Sequence, residues 1–416
     1  MRRLEAGSLA GAFRAPASKS HAIRLLALAA LAEGESVIVG VGRSRDVAVA
    51  LDLVRALGAR VALAGDTVRV RGPARRPAGP VTLDCGESAL CLRMFTGLAA
   101  ALGGLVRLEA QGSLRARPLG GIEGALAALG ARCTTEDGRP PVEVEGPLSS
   151  READLDATLS SQGVTGLLLA LAAAGGGLLR VHGLVSAPYV DLTRAALAVA
   201  GVRVEAVPDG FLVPAGQRPR PFSARVEGDW SGAAFPLVAA AMGGDVTAFG
   251  LDSASFQADR AVLEALRAAG AGVALGPHRV RVSAGDLRPF DFDLTPCPDL
   301  GPPLAALAAA CPGVSHLRGA GRLRAKESDR VVALSEEFGR LGVRIEARGD
   351  ELHIHGGPVG GGEVDARGDH RIAMALGVLA LRARGPLRLA GAGAVTKSWP
   401  GFWRTLARLR GAARAG

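Results

Sequence analysis

Apolar and polar positions along this chain fall into two registers that recur in a fixed order. A stretch with helical spacing ends at a glycine, then a short alternating run follows, a turn dipeptide interrupts, and a second alternating run comes next. The glycine-ended segments are Leu57-Gly58-Ala59-Arg60-Val61, Leu129-Gly130-Ala131-Arg132-Cys133, Ala200-Gly201-Val202-Arg203-Val204, Ala269-Gly270-Ala271-Gly272-Val273 and Leu341-Gly342-Val343-Arg344-Ile345. Their glycines stand 72, 71, 69 and 72 residues apart, so the unit is about 70 residues and the chain holds about six. Each unit predicts a helix closed by a left-handed glycine and then a strand. A turn follows at Gly65-Asp66, Asp137-Gly138, Asp209-Gly210 or Gly349-Asp350, and a second strand such as Val68-Arg69-Val70 or Leu352-His353-Ile354. The period is too long for the common solenoids. It predicts a globular α/β unit, repeated three times in each of two domains.

Composition supports a large core, because 48% of the 416 residues are hydrophobic. No apolar stretch approaches the roughly 18 residues of a membrane span, and no secretory leader is legible at Met1-Arg2-Arg3-Leu4-Glu5. Five scattered cysteines without a CxxC argue against a disulfide framework or a zinc site, and a cytoplasmic setting is expected. The net charge of +9 is spread over the chain with no basic tail, which favours anionic small molecules over nucleic acid. The Pro- and Gly-rich stretch from Pro208 to Pro221 and the break at Pro16 mark where two domains would join.

Only three lysines survive an arginine-rich background, Lys19, Lys326 and Lys397. A compact ammonium does what a planar guanidinium cannot, so each is a candidate for chemistry. The polar clusters sit mostly at loop-to-helix joints: Ser18-Lys19-Ser20 with Arg24, Asp84 to Arg93, Arg115-Ala116-Arg117-Pro118, Ser160-Ser161-Gln162, Ser186 to Asp191, Asp299, Arg324 to Arg330, Gly368-Asp369-His370-Arg371, and Lys397. Helix N-termini favour anions, although capped helices with solvated charges account for several of these segments taken singly. Taken together they fit two domains closing on a pair of multiply charged anions. No P-loop, dinucleotide fingerprint, zinc motif or nucleophile elbow is present.

The ordered set Lys19-Ser20 with Arg24, Arg117-Pro118, Ser160-Ser161-Gln162, Lys326 to Arg330, Asp369-His370-Arg371 and Lys397 resembles the 3-phosphoshikimate 1-carboxyvinyltransferases of the enolpyruvyl transferase family. The resemblance implies two domains, each of three α/β units around a pseudo-threefold axis. One would span 18–226, the other 1–17 with 227–416, and a two-strand hinge would lie near 13–18 and 224–229. It implies shikimate 3-phosphate on Ser20, Arg24, Ser160, Ser161, Ser186, Tyr189, Asp299, Arg322 and Lys326. Phosphoenolpyruvate would lie on Lys19, Ala89, Arg117, Gln162, Arg330, Arg371 and Lys397. Asp299 would serve as base toward the 5-hydroxyl and Glu327 would exchange the proton at C3, while Lys19 stabilises charge. No metal or organic cofactor is implied, and a monomer is expected.

Departures from the family pattern fall in Glu87-Ser88-Ala89-Leu90, where many members carry Asn-x-Gly-Thr. The methyl of Ala89 is expected to crowd glyphosate, the inhibitor of this family, more than phosphoenolpyruvate. Arg322 stands where asparagine is common. The alternatives are the sister transferase acting on UDP-N-acetylglucosamine and a non-catalytic anion-binding homologue. Ser20 and the lack of a cysteine between Arg115 and Pro118 speak against the first, and Asp299 and Glu327 with all three lysines against the second.

Overall fold

A computed structural model describes residues 1–72 and 79–415. The chain divides into two compact units, Ala17–Val226 and Met1–Pro16 with Glu227–Gly416. The architecture is α/β, with six small mixed sheets, five of four strands and one of three.

One module shows the rule. Strand Val81–Asp84 leads into helix Ala89–Leu102, strand Gly104–Glu109 into helix Ile122–Ala128, and the hairpin Arg132–Glu136 and Arg139–Gly146 closes it. The first two strands are parallel, and the hairpin adds antiparallel through its second strand. The same order holds for the sheets built on Gly177–His182 and on Gly313–Arg318. Two other sheets take their first strand from a remote stretch of chain. Ser223–Arg225 pairs parallel with Gly34–Val39, and Leu9–Arg14 pairs parallel with Gly244–Phe249. In the three-stranded sheet Arg2–Leu4 pairs antiparallel with Leu387–Ala390, which runs parallel to Gly362–Asp365.

The helices alternate in character. Lys19–Leu31, Ala89–Leu102 and Gln162–Ala174 are apolar almost all round and buried along nearly their whole length, as are Trp230–Gly243, Gly301–Ala310 and His370–Leu379 in the other unit. A helix without a polar face has to be central. Between them run helices with one buried stripe, among them Arg45–Ala56, Val262–Ala268 and Arg330–Gly339. Each module therefore carries one central and one outer helix.

The predicted helix stops are present. Gly58, Gly130, Gly201, Gly270 and Gly342 have φ of +91°, +84°, +77°, +92° and +83°. The Gly58 N–H donates to Arg55 O at 2.8 Å and the Ala59 N–H to Val54 O at 3.2 Å, which satisfies two end carbonyls. Turns fall at Gly65-Asp66, Asp137-Gly138 and Gly349-Asp350 as expected, each joining two antiparallel strands; the expected turn at Asp209-Gly210 lies one residue earlier, at Pro208-Asp209, because Gly210 already pairs with Val207 as the first residue of strand Gly210–Val213. Among the described residues no helix is long and apolar enough to cross a membrane.

Candidate functional site

The modular topology decides where polar groups gather. In each module the first two strands are parallel, so their carboxyl ends lie on one edge. That edge is where open α/β sheets present ligand-binding loops. One joint there leads into the central helix and the other into the outer helix.

In the unit Ala17–Val226 the central-helix joints carry Lys19, Ala89 and Gln162, each the first residue of its helix. Ser18 caps the first helix by accepting the His21 N–H at 3.3 Å, which places Ser20 inside the helix. The Lys19 ammonium lies 3.0 Å from Asp46 Oδ2, and the Asp46 side chain is 5% exposed. Asp46 sits in the first turn of Arg45–Ala56, where the helix dipole favours a carboxylate.

Arg24 is a clamp. Its Nε donates to Thr193 Oγ1 at 2.9 Å, Nη1 to Ser20 O at 2.8 Å, and Nη2 to Thr165 Oγ1 at 3.3 Å and Tyr189 O at 3.2 Å. It is 1% exposed, and burial lowers its pKa to about 10. The sequence suggested an anion beside this guanidinium. Instead, Nε and Nη2 tie Lys19–Leu31 to Gln162–Ala174 and Ala187–Val199, while Nη1 closes on the Ser20 carbonyl within its own helix.

Arg93 acts in the same way in the following module. Its Nη1 donates to Gln162 Oε1 at 2.9 Å and its Nη2 to Pro118 O at 2.5 Å. Burial, then the neighbouring Arg117, lowers its pKa to about 10. The two helices that carry Arg93 and Gln162 touch through glycines: a Cβ on Gly97 would stand 2.4 Å from Gly166 O, and one on Gly166 2.4 Å from Arg93 O. Ser160 Oγ accepts the Gln162 N–H at 3.2 Å. Ser161 occupies the cap position with no side-chain capping bond and is 4% exposed. Ser186 opens Ala187–Val199 at φ 54° and ψ 46°, a conformation that costs a non-glycine residue roughly 1 kcal/mol or more. Arg117 is buried and donates to Ser113 Oγ at 3.4 Å. Ala89 is half-buried and packs against the core of its unit, and Leu90 is buried in it.

The other unit holds an interlocked set of charges. Arg330, the first residue of its helix and 0% exposed, reaches three carboxylates: Asp369 Oδ2 at 2.8 Å from Nε, Asp299 Oδ1 at 3.0 Å from Nη1, and Glu327 Oε2 at 2.8 Å from Nη2. Arg371 Nη2 donates to Asp299 Oδ2 at 2.8 Å, and the Lys326 ammonium lies 3.7 Å from Asp299 Oδ1. Lys397 is buried, 3.8 Å from Glu327 Oε1. Arg322 Nη1 donates to Thr295 O at 2.9 Å. Asp369 caps His370–Leu379 through the Arg371 N–H at 2.8 Å.

Burial alone would raise the Asp299 pKa, but Arg371, Lys326 and Arg330 outweigh it and hold the carboxyl well below the usual range. Burial pulls Lys326 down to about 8, against the pull of Asp299. Arg330 is desolvated too, yet Asp369, Glu327 and Asp299 keep its pKa raised. Any anion that binds here therefore competes with these carboxylates for the same cations.

Sequence reasoning did not single out Asp46, and it quoted Arg93 and Asp369 only as members of motifs. Arg93 lies four residues after Ala89 on one helix face, and that spacing could have marked it. Among the described residues no group of His, Cys, Asp and Glu is arranged to hold a metal.

Central and outer helix joints loaded with buried arginines, lysines and hydroxyls define an α/β protein that concentrates charge at the ends of its helices. The family model for EPSP synthase (3-phosphoshikimate 1-carboxyvinyltransferase) matches residues 5–406. The chain is 42% identical over 401 residues to a 3-phosphoshikimate 1-carboxyvinyltransferase of Aeropyrum pernix, covering 96% of this chain and 93% of that one. It is 37% identical over 408 residues to the Methanocorpusculum labreanum protein of the same name, covering 96% of each. The solved structure of EPSP synthase from Acinetobacter baumannii superposes with a TM-score of 0.81 at 26% identity, over 98% of both chains. The chain belongs to the EPSP synthase family.

Proposed function

We propose that the chain transfers the enolpyruvyl group of phosphoenolpyruvate to the 5-hydroxyl of shikimate 3-phosphate, with release of phosphate, and that the clusters described above divide the work. Full-length similarity to 3-phosphoshikimate 1-carboxyvinyltransferases supports the reaction. In this reading each unit holds three modules about a pseudo-threefold axis.

Shikimate 3-phosphate is held by Ser20, Ser160, Ser161 and Ser186, with Tyr189 along the ring and Lys326, Arg322 and Asp299 from the other unit. Arg24 serves this set by fixing Ser20 and Tyr189 through their carbonyls. Phosphoenolpyruvate lies on Lys19, Ala89, Arg117 and Gln162, and on Arg330, Arg371 and Lys397. Arg93 engages the Gln162 carbonyl oxygen, which leaves the Gln162 amide NH2 as a donor toward substrate.

The observation that carries the mechanism is the interlocked cluster of Asp299, Glu327, Arg330 and Arg371. Its carboxylates are clamped by the cations that substrate anions need. When the carboxylate and phosphate of phosphoenolpyruvate take up Arg330, Arg371 and Lys397, the field on Asp299 and Glu327 weakens and their basicity rises. Glu327, protonated from solvent once Arg330 is drawn to the substrate anions, supplies a proton to C3 while Asp299 accepts the proton of the 5-hydroxyl as its oxygen attacks C2. The tetrahedral intermediate collapses as Glu327 takes a proton back from C3 and phosphate leaves, carrying away the proton held by Asp299. Lys19 and the arginines stabilise the charge that builds on the way.

The test is Glu327→Gln. The amide keeps the shape and a partner for Arg330 but exchanges no proton. Turnover falls at least about a hundredfold while both substrates still bind, as measured by phosphate release and calorimetry. Near-normal phosphate release by this variant removes Glu327 from the mechanism.

A further inference from the structure

We propose that Glu337 and Arg367 are positioning residues for this reaction: an ion pair on a buried carboxylate, two helical turns from Arg330, that fixes the spacing of Arg330 and Arg371 for phosphoenolpyruvate. The inference rests on the role given to those two arginines above. Arg330 opens the helix Arg330–Gly339, and Glu337 follows seven residues later. Seven residues are about two turns and roughly 10 Å of rise, so both side chains leave the helix on one face. That face meets the stretch 365–371, which joins strand Gly362–Asp365 to the helix His370–Leu379. Contact is made twice. At the helix start Arg330 Nε donates to Asp369 Oδ2 at 2.8 Å. Two turns on, Glu337 Oε2 accepts the Asp365 N–H at 2.9 Å, and Oε1 accepts Arg367 Nε at 2.8 Å and Nη2 at 2.6 Å. One point of attachment would leave the helix free to pivot on this joint. Two points fix both its direction and its position along its axis.

Burial and backbone conformation set this pair apart from the ion pairs of the surface. Glu337 is 0% exposed, and a carboxylate is kept in such a place only when it is paired and hydrogen-bonded. Arg367 holds a φ of +52°, a left-handed conformation that a residue with a Cβ adopts only against a steric cost. Such strain persists where the surroundings impose it. Here the Arg367 N–H donates to Asp365 Oδ1 at 2.7 Å, and the guanidinium is drawn back onto Glu337. The bend delivers the chain to Asp369, whose N–H donates to Ala366 O at 2.8 Å. Asp369 Oδ1 accepts the Arg371 N–H at 2.8 Å while its Oδ2 accepts from Arg330. The place of Arg371 relative to Arg330 is therefore set by the same turn that Glu337 and Arg367 hold. Glu336 also pairs with Arg367, but from a side chain 53% exposed, where an ion pair adds little.

The consequence is preorganisation. An anion held by two guanidinium groups binds best at one separation of the pair. With the second attachment gone, Arg330 and Arg371 drift, and substrate binding has to bear the cost of ordering them. The serines proposed to hold shikimate 3-phosphate lie in the other unit and keep their places.

Variants of the full chain, assayed by steady-state phosphate release with each substrate varied in turn, test this. Glu337→Gln keeps the shape and the bond from the Asp365 N–H but loses the charge. Arg367→Asn removes the guanidinium and tolerates the left-handed backbone. Each raises the KM for phosphoenolpyruvate by about tenfold or more and leaves the KM for shikimate 3-phosphate unchanged. The double variant is no worse than the worse single one, because either change opens the same attachment. Glu336→Gln, which removes only the exposed partner of Arg367, keeps wild-type constants. A merely structural pair would instead lower the urea midpoint with both KM values unchanged, or raise both together; either result overturns the proposal, as do additive effects in the double variant. Should Glu337→Gln fail to fold, an unchanged KM for phosphoenolpyruvate in Arg367→Asn overturns it alone. Arg371→Lys separates this inference from the reading beneath it. An unchanged KM for phosphoenolpyruvate there defeats the placement of Arg371 on substrate and this inference together. A raised KM in Arg371→Lys beside wild-type values in Glu337→Gln and Arg367→Asn defeats this inference alone.

Discussion

Replacing Lys19 by arginine keeps the charge and changes only its shape, and the structure fixes what should follow. The ammonium sits 3.0 Å from Asp46 Oδ2, with the two side chains 16% and 5% exposed. At an effective dielectric of about 20, a pair at that distance attracts by about 5 kcal/mol. Desolvation offsets much of it, and the helix dipole supports Asp46 by up to about 1 kcal/mol. Lys19→Met therefore loses about 2 kcal/mol of stability, since it strands a buried carboxylate. Lys19→Arg keeps the pair and loses less than about 1 kcal/mol. The guanidinium is planar and longer, however, and cannot put its charge where the ammonium is. A displacement of about 1 Å at a reacting centre costs on the order of a hundredfold in rate. Urea unfolding and phosphate release on the two variants separate these effects: Lys19→Arg should unfold like the wild type and turn over about a hundredfold more slowly. Wild-type turnover in Lys19→Arg would refute the argument from lysine scarcity and from the geometry of this pair together.

Three further outcomes are expected. Glyphosate should inhibit weakly and Ala89→Gly should bind it about five- to a hundredfold more tightly, for a steric cost of about 1–3 kcal/mol; equal inhibition constants for the two proteins would show that the methyl, packed on the core, does not meet the inhibitor. Gly166→Ala should cost about 3 kcal/mol in denaturant unfolding, because its Cβ would stand 2.4 Å from Arg93 O, and it should raise the KM for phosphoenolpyruvate by shifting Gln162; a neutral Gly166→Ala contradicts the close helix crossing. Burial and then Arg24 lower the His21 pKa to about 4, below its ordinary 6.5, so its neutral form contributes stability that is full above about pH 6.5 and is lost as pH falls toward and through about 4. His21→Gln should recover about 2 kcal/mol of that acid loss relative to wild type, and identical stability curves against pH would refute it.

The local grammar of the fold was legible because it is written in short-range rules. A glycine that must take positive φ after a helix, and a turn dipeptide between alternating runs, need no tertiary information. Gly58, Gly130, Gly201, Gly270 and Gly342 are found where those rules put them. The sheet completions were not legible. Ser223–Arg225 and Leu9–Arg14 join strands distant in sequence, and nothing local distinguishes them from hairpin strands. The site divides in the same way. Its clusters could be located from residue type at loop-to-helix joints, but pairing between them is a long-range outcome. Arg24 shows the difference. A basic residue near a helix start suggested an anion, whereas Thr165 and Thr193, polar positions on buried helix faces, were the signal that the guanidinium turns inward. Asp46 carried no such signal, because an acidic residue in a first helical turn is ordinary.

The most direct test of the account is phosphate release by the purified chain with phosphoenolpyruvate and each acceptor in turn. Shikimate 3-phosphate should drive stoichiometric release, and UDP-N-acetylglucosamine should drive none above background. Release with the nucleotide sugar, or none with shikimate 3-phosphate, would contradict it.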